Sequence, residues 1–392
     1  MKILMFAPGQ SEHSTRPLKM LLESGCEVTF MDFIDPLPQG HENYQFIPYP
    51  SPRGKRWTQH LGKNLAARLA DWSIGLQLRQ VWKRVKPDVT HMHWISPQRA
   101  EQCLNAGMHP FALSAWGSDI NNHFKPDANP LEKKRVGQAL AQVNIVIIDS
   151  VDIAAKCAEL AGKPVRTVNL PLGVDTTRFK PGYEDESRAW RKKLGIPENA
   201  LVLLSIRAWS PFYGHQHLLE SFAQAFLHFE VPAILLFKTL NKSTYPEAES
   251  FERQIRSRVE ALGLSDHVRW LEQVPFERLH EIYAASDVIL NYPEMDAFPV
   301  TFQEAAACER PVISACLPAY AATFAEKYFT FVEPGNMTQL TDAMMRFVNA
   351  GEEEKARRKK LLSQARREVE QTHDERAYAR GLLKIYEELK QR

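Results

Sequence analysis

Two carboxylates, Asp296 and Glu304, flank seven residues in the stretch Asn291-Tyr-Pro-Glu-Met-Asp296-Ala-Phe-Pro-Val-Thr-Phe-Gln-Glu304. A strand-like run ends near Tyr292 and a helical pattern opens near Val300. Asp296 therefore falls on the loop ahead of a helix, with Glu304 just over one turn inside it. Backbone N–H groups at such a terminus attract anions, and carboxylates on the loop and helix can grip sugar hydroxyls. The other reading is an acidic helix start that complements the dipole, with Glu304 in solvent. Arg207 follows a second strand-like run and precedes a loop holding Pro211 and Gly214. A guanidinium there can bind a diphosphate through paired hydrogen bonds. His91-Met-His93 closes another run, and Gly9 opens the loop Gly9-Gln10-Ser11-Glu12-His13 after the first. Gly9 is the one glycine of a Gly-x-Gly-x-x-Gly fingerprint present there, so nicotinamide or flavin binding has little support.

The elements that position these residues are legible from periodicity. Short, continuous apolar runs (Lys2–Ala7, Glu27–Asp32, Val89–His93, Phe111–Ala115, Ile145–Ile148, Val165–Asn169, Leu201–Arg207, Ala233–Phe237, Val268–Leu271, Val288–Tyr292, Pro311–Ser314, Phe329–Val332) alternate with helical patterns. Continuous rather than alternating apolar runs fit parallel strands covered on both faces. The alternation predicts a doubly wound α/β chain. It restarts at Leu201 after the Pro181-Gly182 segment, which predicts Rossmann-like domains over 1–182 and 183–371. A charged helical tail, 372–392, is expected to pack on the surface and to cross back to the first domain. Two facing domains of this kind would leave an interdomain cleft at their strand C-terminal ends, where open α/β sheets bind ligands.

Composition narrows the classes. The chain has 392 residues, 44% hydrophobic and 24% charged, with a net charge of +2. That excludes general disorder and a globally basic nucleic-acid binder. Five scattered cysteines, with no C-x-x-C pair, argue against a disulfide framework or zinc site and for a reducing cytoplasm. No apolar run reaches the roughly 18 residues of a membrane span, and Met1–Gly9 reads as a buried strand rather than a signal peptide. One region departs from neutrality: Arg53–Lys86 carries nine basic residues against Asp71 alone, a local excess of +8, with Trp57, Trp72 and Trp82 interleaved. Its apolar face, Leu61, Leu65, Leu69, Trp72 and Leu76, has helical spacing and is expected in the core. The basic remainder suggests an anionic membrane surface or a phosphate-bearing acceptor.

The acidic stretch resembles the motif of the retaining family 4 glycosyltransferases, in which two acids flank seven residues and a strand like Pro311-Val312-Ile313 follows. Further segments resemble the family in its order: Pro87-Asp88-Val-Thr-His91-Met-His93-Trp94, Ala115-Trp116-Gly117-Ser118-Asp119, Leu170-Pro171-Leu-Gly173-Val174-Asp175 with Arg178-Phe179, and Ser205-Ile-Arg207 with Tyr213-Gly214-His215. The matches spread from residue 1 to about 335. There are three departures. Asp296 replaces the commoner Glu, Tyr213 stands where the family has Lys, and Glu309 stands where it has Gly. The turn before Arg310 is therefore expected to be built differently.

The resemblance implies a GT-B fold and a retaining, metal-independent transfer from a nucleotide-diphosphate sugar to an acceptor hydroxyl, in bacterial glycan or glycolipid synthesis. It implies no cofactor beyond that donor substrate, and no nucleic-acid partner. By this resemblance His93, Asp296 and Arg207 are catalytic. Gly9, Arg207, Lys238, Asp296, Ala297, Phe298, Pro299, Val300 and Glu304 bind the donor, with Asp296 by the sugar ring and Glu304 on the ribose. Lys238 or Lys242 would replace the missing family cation. Ser11, His13, Trp116 and Asp119 bind the acceptor, which is a sugar, a lipid-linked molecule or a small molecule. His91 is expected to point to the strand face opposite His93 and to serve structure. The protein is expected in the cytoplasm, on the inner face of the membrane if the basic region docks there. The competing readings are a GT-B-like epimerase or phosphorylase, and a nucleotide-sugar-binding protein without transfer activity.

Overall fold

The structure is a computed structural model that describes residues 1–37, 40–51, 63–238, 248–272 and 274–391. Arg53, Lys55, Arg56, Trp57, Leu61 and Lys242 lie outside the described residues. The chain divides into two compact units, Met1–Leu172 with Arg376–Arg392, and Gly173–Glu375.

In the first unit, β1 (Lys2–Phe6), β2 (Glu27–Asp32), β3 (Tyr44–Pro48), β4 (Val89–His93), β5 (Phe111–Ser114), β6 (Ile145–Ile148) and β7 (Thr167–Asn169) form one sheet. Their order is β3-β2-β1-β4-β5-β6-β7, and every pairing is parallel. Strand β1 pairs with β2 on one side (Ile3 opposite Val28) and with β4 on the other (Ile3 opposite Val89). The order reverses between β1 and β4, and ligands of open sheets bind at the strand C-terminal ends beside such a reversal. Strand β3 was not expected. Its neighbourhood of Pro36 and Gly40 reads as loop, and Pro48 is tolerated because β3 is an edge strand.

The second unit repeats the plan with β8 (Leu201–Ser205), β9 (Ala233–Lys238), β10 (Val268–Leu271), β11 (Val288–Asn291), β12 (Val312–Ala315) and β13 (Thr330–Val332). The order β10-β9-β8-β11-β12-β13 is again all parallel and reverses between β8 and β11. Val202, Leu204, Ile289, Phe222 and Phe302 are fully buried in its core. Burial on both faces explains why these strands read as continuous apolar runs.

The boundary expected at 182/183 lies instead between Leu172 and Gly173. Val174 bridges Asp374, and Phe179 packs its ring on Phe276 and Tyr283, so this segment belongs to the second core. The tail expected over 372–392 also divides, at Glu375/Arg376. Its last helix, Glu375–Lys390, buries Tyr378, Leu382, Ile385, Tyr386 and Leu389 against Ile3, Phe30 and Ile147 of the first core.

The apolar face expected in the core on helix Lys63–Val85 is exposed: Leu65 is 50% accessible and Trp72 65%, with Leu69 and Leu76 alongside. Ile74 and Leu78, on the opposite side of that helix, are the buried residues. The helix has two apolar sides, and spacing alone does not say which one meets the sheet. Among the described residues no helix is long and apolar enough to cross a membrane. Cys26, Cys103, Cys157 and Cys308 are free and buried, whereas Cys316 is exposed.

Candidate active site

In the first unit, the strand ends beside the sheet reversal carry Gly9, His93 and Trp116. A Cβ on Gly9 would collide with the Ile34 carbonyl oxygen, so only glycine fits there. The Gly9 N–H donates to Asp32 Oδ2 at 2.8 Å, and Arg99 binds the other carboxylate oxygen, also at 2.8 Å. Asp32 and Arg99, which lie outside any motif, thus hold the loop. Ser11 caps helix Glu12–Glu23 by accepting from the His13 N–H, so its hydroxyl has a structural task as well as the expected acceptor role. His13 is exposed and packs its ring on half-buried Trp116, with centroids 5.3 Å apart.

Asp119 departs from its expected place at the acceptor. Its carboxylate oxygens accept from the Ile95 and Trp116 backbone N–H groups at 2.8 and 2.9 Å. Burial pushes its carboxyl up to about 6, against the pull of those N–H groups. Asp119 therefore shapes the loop that presents Trp116.

His91 and His93 are also corrected. They share one face of β4, their rings 4.0 Å apart, because residues two apart in a strand point the same way. His91 bonds Tyr386 through Nδ1 and Ser114 through Nε2. His93 is 1% exposed, and among the described residues nothing bonds its Nε2. Burial pushes the His93 imidazole down to about 3, so the ring is neutral at physiological pH.

In the second unit, residues after β8 and β11 converge on one half-buried ion pair. The Arg207 guanidinium contacts both Asp296 oxygens, Oδ1 at 3.1 Å and Oδ2 at 3.0 Å, and stacks 4.4 Å over the Tyr213 ring. Burial opposes the charge of Arg207, but Asp296, Tyr213 and Tyr320 together more than offset this and its pKa is raised. Burial likewise raises the Asp296 carboxyl, with Arg207 pulling the other way. The Ala297 N–H donates to Asp296 Oδ1 and the Tyr320 hydroxyl to Oδ2, each at 3.1 Å. Tyr320 accepts in turn from Asn291, which also donates to Ser314. Tyr320, Asn291 and Ser314 carried no motif signal. A strand-end Asn is the only hint available.

Pro299 is the N-cap residue of helix Val300–Ala307, and Phe298 is buried just ahead of it. Glu304, inside that helix, is buried rather than solvated, and its Oε2 accepts from Tyr283 at 2.6 Å. Lys238 ends β9 half-buried. Burial lowers its pKa while the Glu304 charge pulls it up, which places the two groups within electrostatic reach. Gly214 has φ +68 and faces the Tyr292 carbonyl so closely that a Cβ would clash. The turn before Arg310 keeps the conformation a glycine would give it, contrary to expectation. Glu309 itself adopts φ 53, and the Glu309 and Arg310 N–H groups close the helix end on Ala306 and Ala305. Among the described residues no group of three His, Cys, Asp or Glu side chains is placed to hold a metal.

Comparison with known proteins agrees with this architecture. Residues 186–367 match the family model for glycosyl transferases group 1, and residues 2–150 match that for glycosyl transferase 4-like domains. A D-inositol 3-phosphate glycosyltransferase of Geodermatophilus obscurus is 31% identical over 59% of this chain; the chain spans about half of that relative, 52%. Sucrose-phosphate synthase from Thermosynechococcus elongatus superposes with a TM-score of 0.80 at 15% identity, covering 99% of both chains. Anabaena HepE in complex with UDP and glucose gives 0.75 at 17% identity, over 99% of this chain and 100% of its own. Two parallel sheets flanked by helices, and matches to both domain models, establish that the chain belongs to the group 1, family 4-like glycosyltransferases and has a two-domain α/β GT-B fold.

Proposed function

We propose that the protein transfers a sugar, with retention and without a metal, from a nucleotide-diphosphate sugar to an acceptor hydroxyl. The observation that carries this reading is the half-buried Arg207–Asp296 pair with Tyr320 at the strand ends where the second sheet reverses. Arg207 has N–H groups beyond those given to Asp296 and can take an arriving diphosphate as well. It would stabilise the charge that develops on the leaving group. Asp296 already accepts from Arg207, Ala297 and Tyr320. A carboxylate so engaged is a poor nucleophile, which supports attack by the acceptor from the leaving-group side over a covalent sugar–enzyme intermediate. In this reading Asp296, Ala297, Phe298, Pro299 and Val300 frame the donor sugar, and Glu304 and Lys238 meet the ribose and phosphate end. Gly9 allows the donor phosphates close approach, His93 contacts sugar hydroxyls, and His13 and Trp116 meet the acceptor.

HepE with UDP and glucose supports UDP-glucose as the first donor to try, and the inositol phosphate relative supports a phosphate-bearing acceptor. The test is a thermal-shift screen of nucleotide sugars, since a bound donor stabilises the folded state by mass action. Product analysis by NMR follows. Acceptor-dependent release of the nucleoside diphosphate with an unchanged anomeric configuration supports the reading. An inverted product, acceptor-free epimerisation, or binding without any transfer overturns it.

We also propose peripheral binding to an anionic membrane, in bacterial glycolipid or glycan synthesis. Exposed Leu65, Leu69, Trp72 and Leu76 lie beside exposed Arg68, Arg79 and Lys83 on one helix. Apolar insertion together with about 1 kcal/mol per basic residue suffices for reversible attachment. Co-sedimentation with anionic vesicles that weakens at high salt, and is lost in Trp72→Ser, supports this. Equal, negligible pelleting with anionic and neutral vesicles refutes it.

A further inference from the structure

The last helix carries two buried tyrosines, Tyr378 and Tyr386, into the first unit behind its candidate catalytic histidine. Tyr386 bonds His91 Nδ1 at 2.5 Å, and His91 Nε2 bonds Ser114 Oγ at 2.8 Å. The Ser114 hydroxyl also bonds Tyr378. A neutral His91 donates through one nitrogen and accepts through the other, so Tyr386 and Ser114 together select one tautomer. Both His91 nitrogens are thereby used, and its ring orientation is set by one residue of β5 and one of the last helix. His93 lies against that ring at 4.0 Å, with Trp116 on another side at a centroid distance of 6.4 Å.

We propose that Tyr386 is a positioning residue. Through His91 it holds the His93 ring in one orientation, with Nε2 kept for a ligand hydroxyl. This rests on the proposed contact of His93 with sugar hydroxyls. The two rings cannot both be charged, because two imidazolium ions at 4.0 Å would repel. Burial favours the neutral form of each, and the charge of His93 would lower His91 further. Burial raises the Tyr378 pKa, and the charge of Arg16, itself buried, opposes that rise. A residue 295 positions away in sequence thus acts on the end of β4.

The experiment compares Tyr386→Phe, His93→Ala and the double variant, using the full chain and UDP-glucose, or the nucleotide sugar that the donor screen selects. Tyr386→Phe removes one hydroxyl and keeps the ring in the core. We expect kcat to fall roughly tenfold, the scale of a small misplacement at a reacting centre, with donor Kd unchanged within about twofold. On the His93→Ala background the same change should have no further effect on kcat. Nitrogen-15 spectra of histidine-labelled protein should show His91 neutral in a single tautomer, and one His93 signal that broadens or splits in Tyr386→Phe. An equal loss of kcat on both backgrounds means Tyr386 serves stability alone and overturns the proposal. So does a mixture of His91 tautomers, or an unchanged His93 signal. If His93→Ala itself leaves kcat intact, the role of His93 falls and the proposal falls with it, a result distinct from additive losses.

Discussion

The two units share a plan and differ in charge. Each is a parallel sheet whose order reverses once, and each gathers its candidate residues at the strand ends beside that reversal. In the first unit those residues are aromatic, His91, His93, Trp116 and His13, and burial keeps His91 and His93 neutral. In the second they are ionic: Arg207, Asp296, Glu304 and Lys238. Neutral imidazoles and an indole suit hydroxyl groups and sugar faces, whereas a half-buried guanidinium suits a diphosphate. On the proposed function, one fold used twice divides recognition by chemistry.

The largest expected effect tests the ionic side. Arg207→Ala should lower kcat/KM by on the order of 10² or more. It also takes from half-buried Asp296 its guanidinium partner, leaving the Ala297 N–H and the Tyr320 hydroxyl, which costs about 1–3 kcal/mol of stability. Adding Asp296→Asn should restore much of the melting temperature without restoring turnover. Near-wild-type kcat/KM in Arg207→Ala would remove the phosphate role.

The two acids should fail differently. Asp296→Asn should lower kcat roughly tenfold or more while donor affinity is partly kept, because its contacts act on the transition state. Glu304→Ala should raise donor KM most, by about tenfold. Steady-state kinetics with both substrates varied would read this, and matching profiles would merge the two roles into one.

Acid stability reports the neutral side. Burial holds His93 at about 3 and His215 at about 4, and His91 well below 6.5. Near pH 5 the unfolded chain binds protons at these three rings that the folded chain does not. Asp119, at about 6 when folded, binds one in the opposite sense. Stability should therefore fall as pH drops from 6.5 toward 4, by roughly 1.4 kcal/mol per net proton per pH unit. Urea unfolding at pH 7 and pH 5 would measure the slope, and His93→Gln should flatten it.

The smallest effect concerns a strained turn. Glu309 holds φ 53 at the end of helix Val300–Ala307. Glu309→Gly should stabilise the protein by about 1 kcal/mol with no change in kcat. Chemical denaturation resolves that difference, and a destabilised variant would show that the Glu309 side chain is itself needed.

Much of this molecule was legible in its residues. Continuous apolar runs marked twelve of the strands that form, because a strand buried on both faces must be apolar throughout. Strand β3 escaped notice because its residues are at most half-buried and Pro36 and Gly40 ahead of it read as loop. The spacing of Asp296 and Glu304 placed one on a loop and one inside a helix, as the structure has them. What tertiary structure alone decided was partnership and exposure. Arg207 meets Asp296 across 89 positions of sequence, and Tyr386 meets His91 across 295. Such pairs arise from strand order, which local patterns do not encode. Helix Lys63–Val85 shows the same limit for burial. Two apolar sides were written in its sequence, and packing of Ile74 and Leu78 inward left Leu65, Leu69, Trp72 and Leu76 outside. Periodicity is a property of one segment, whereas burial depends on what that segment packs against.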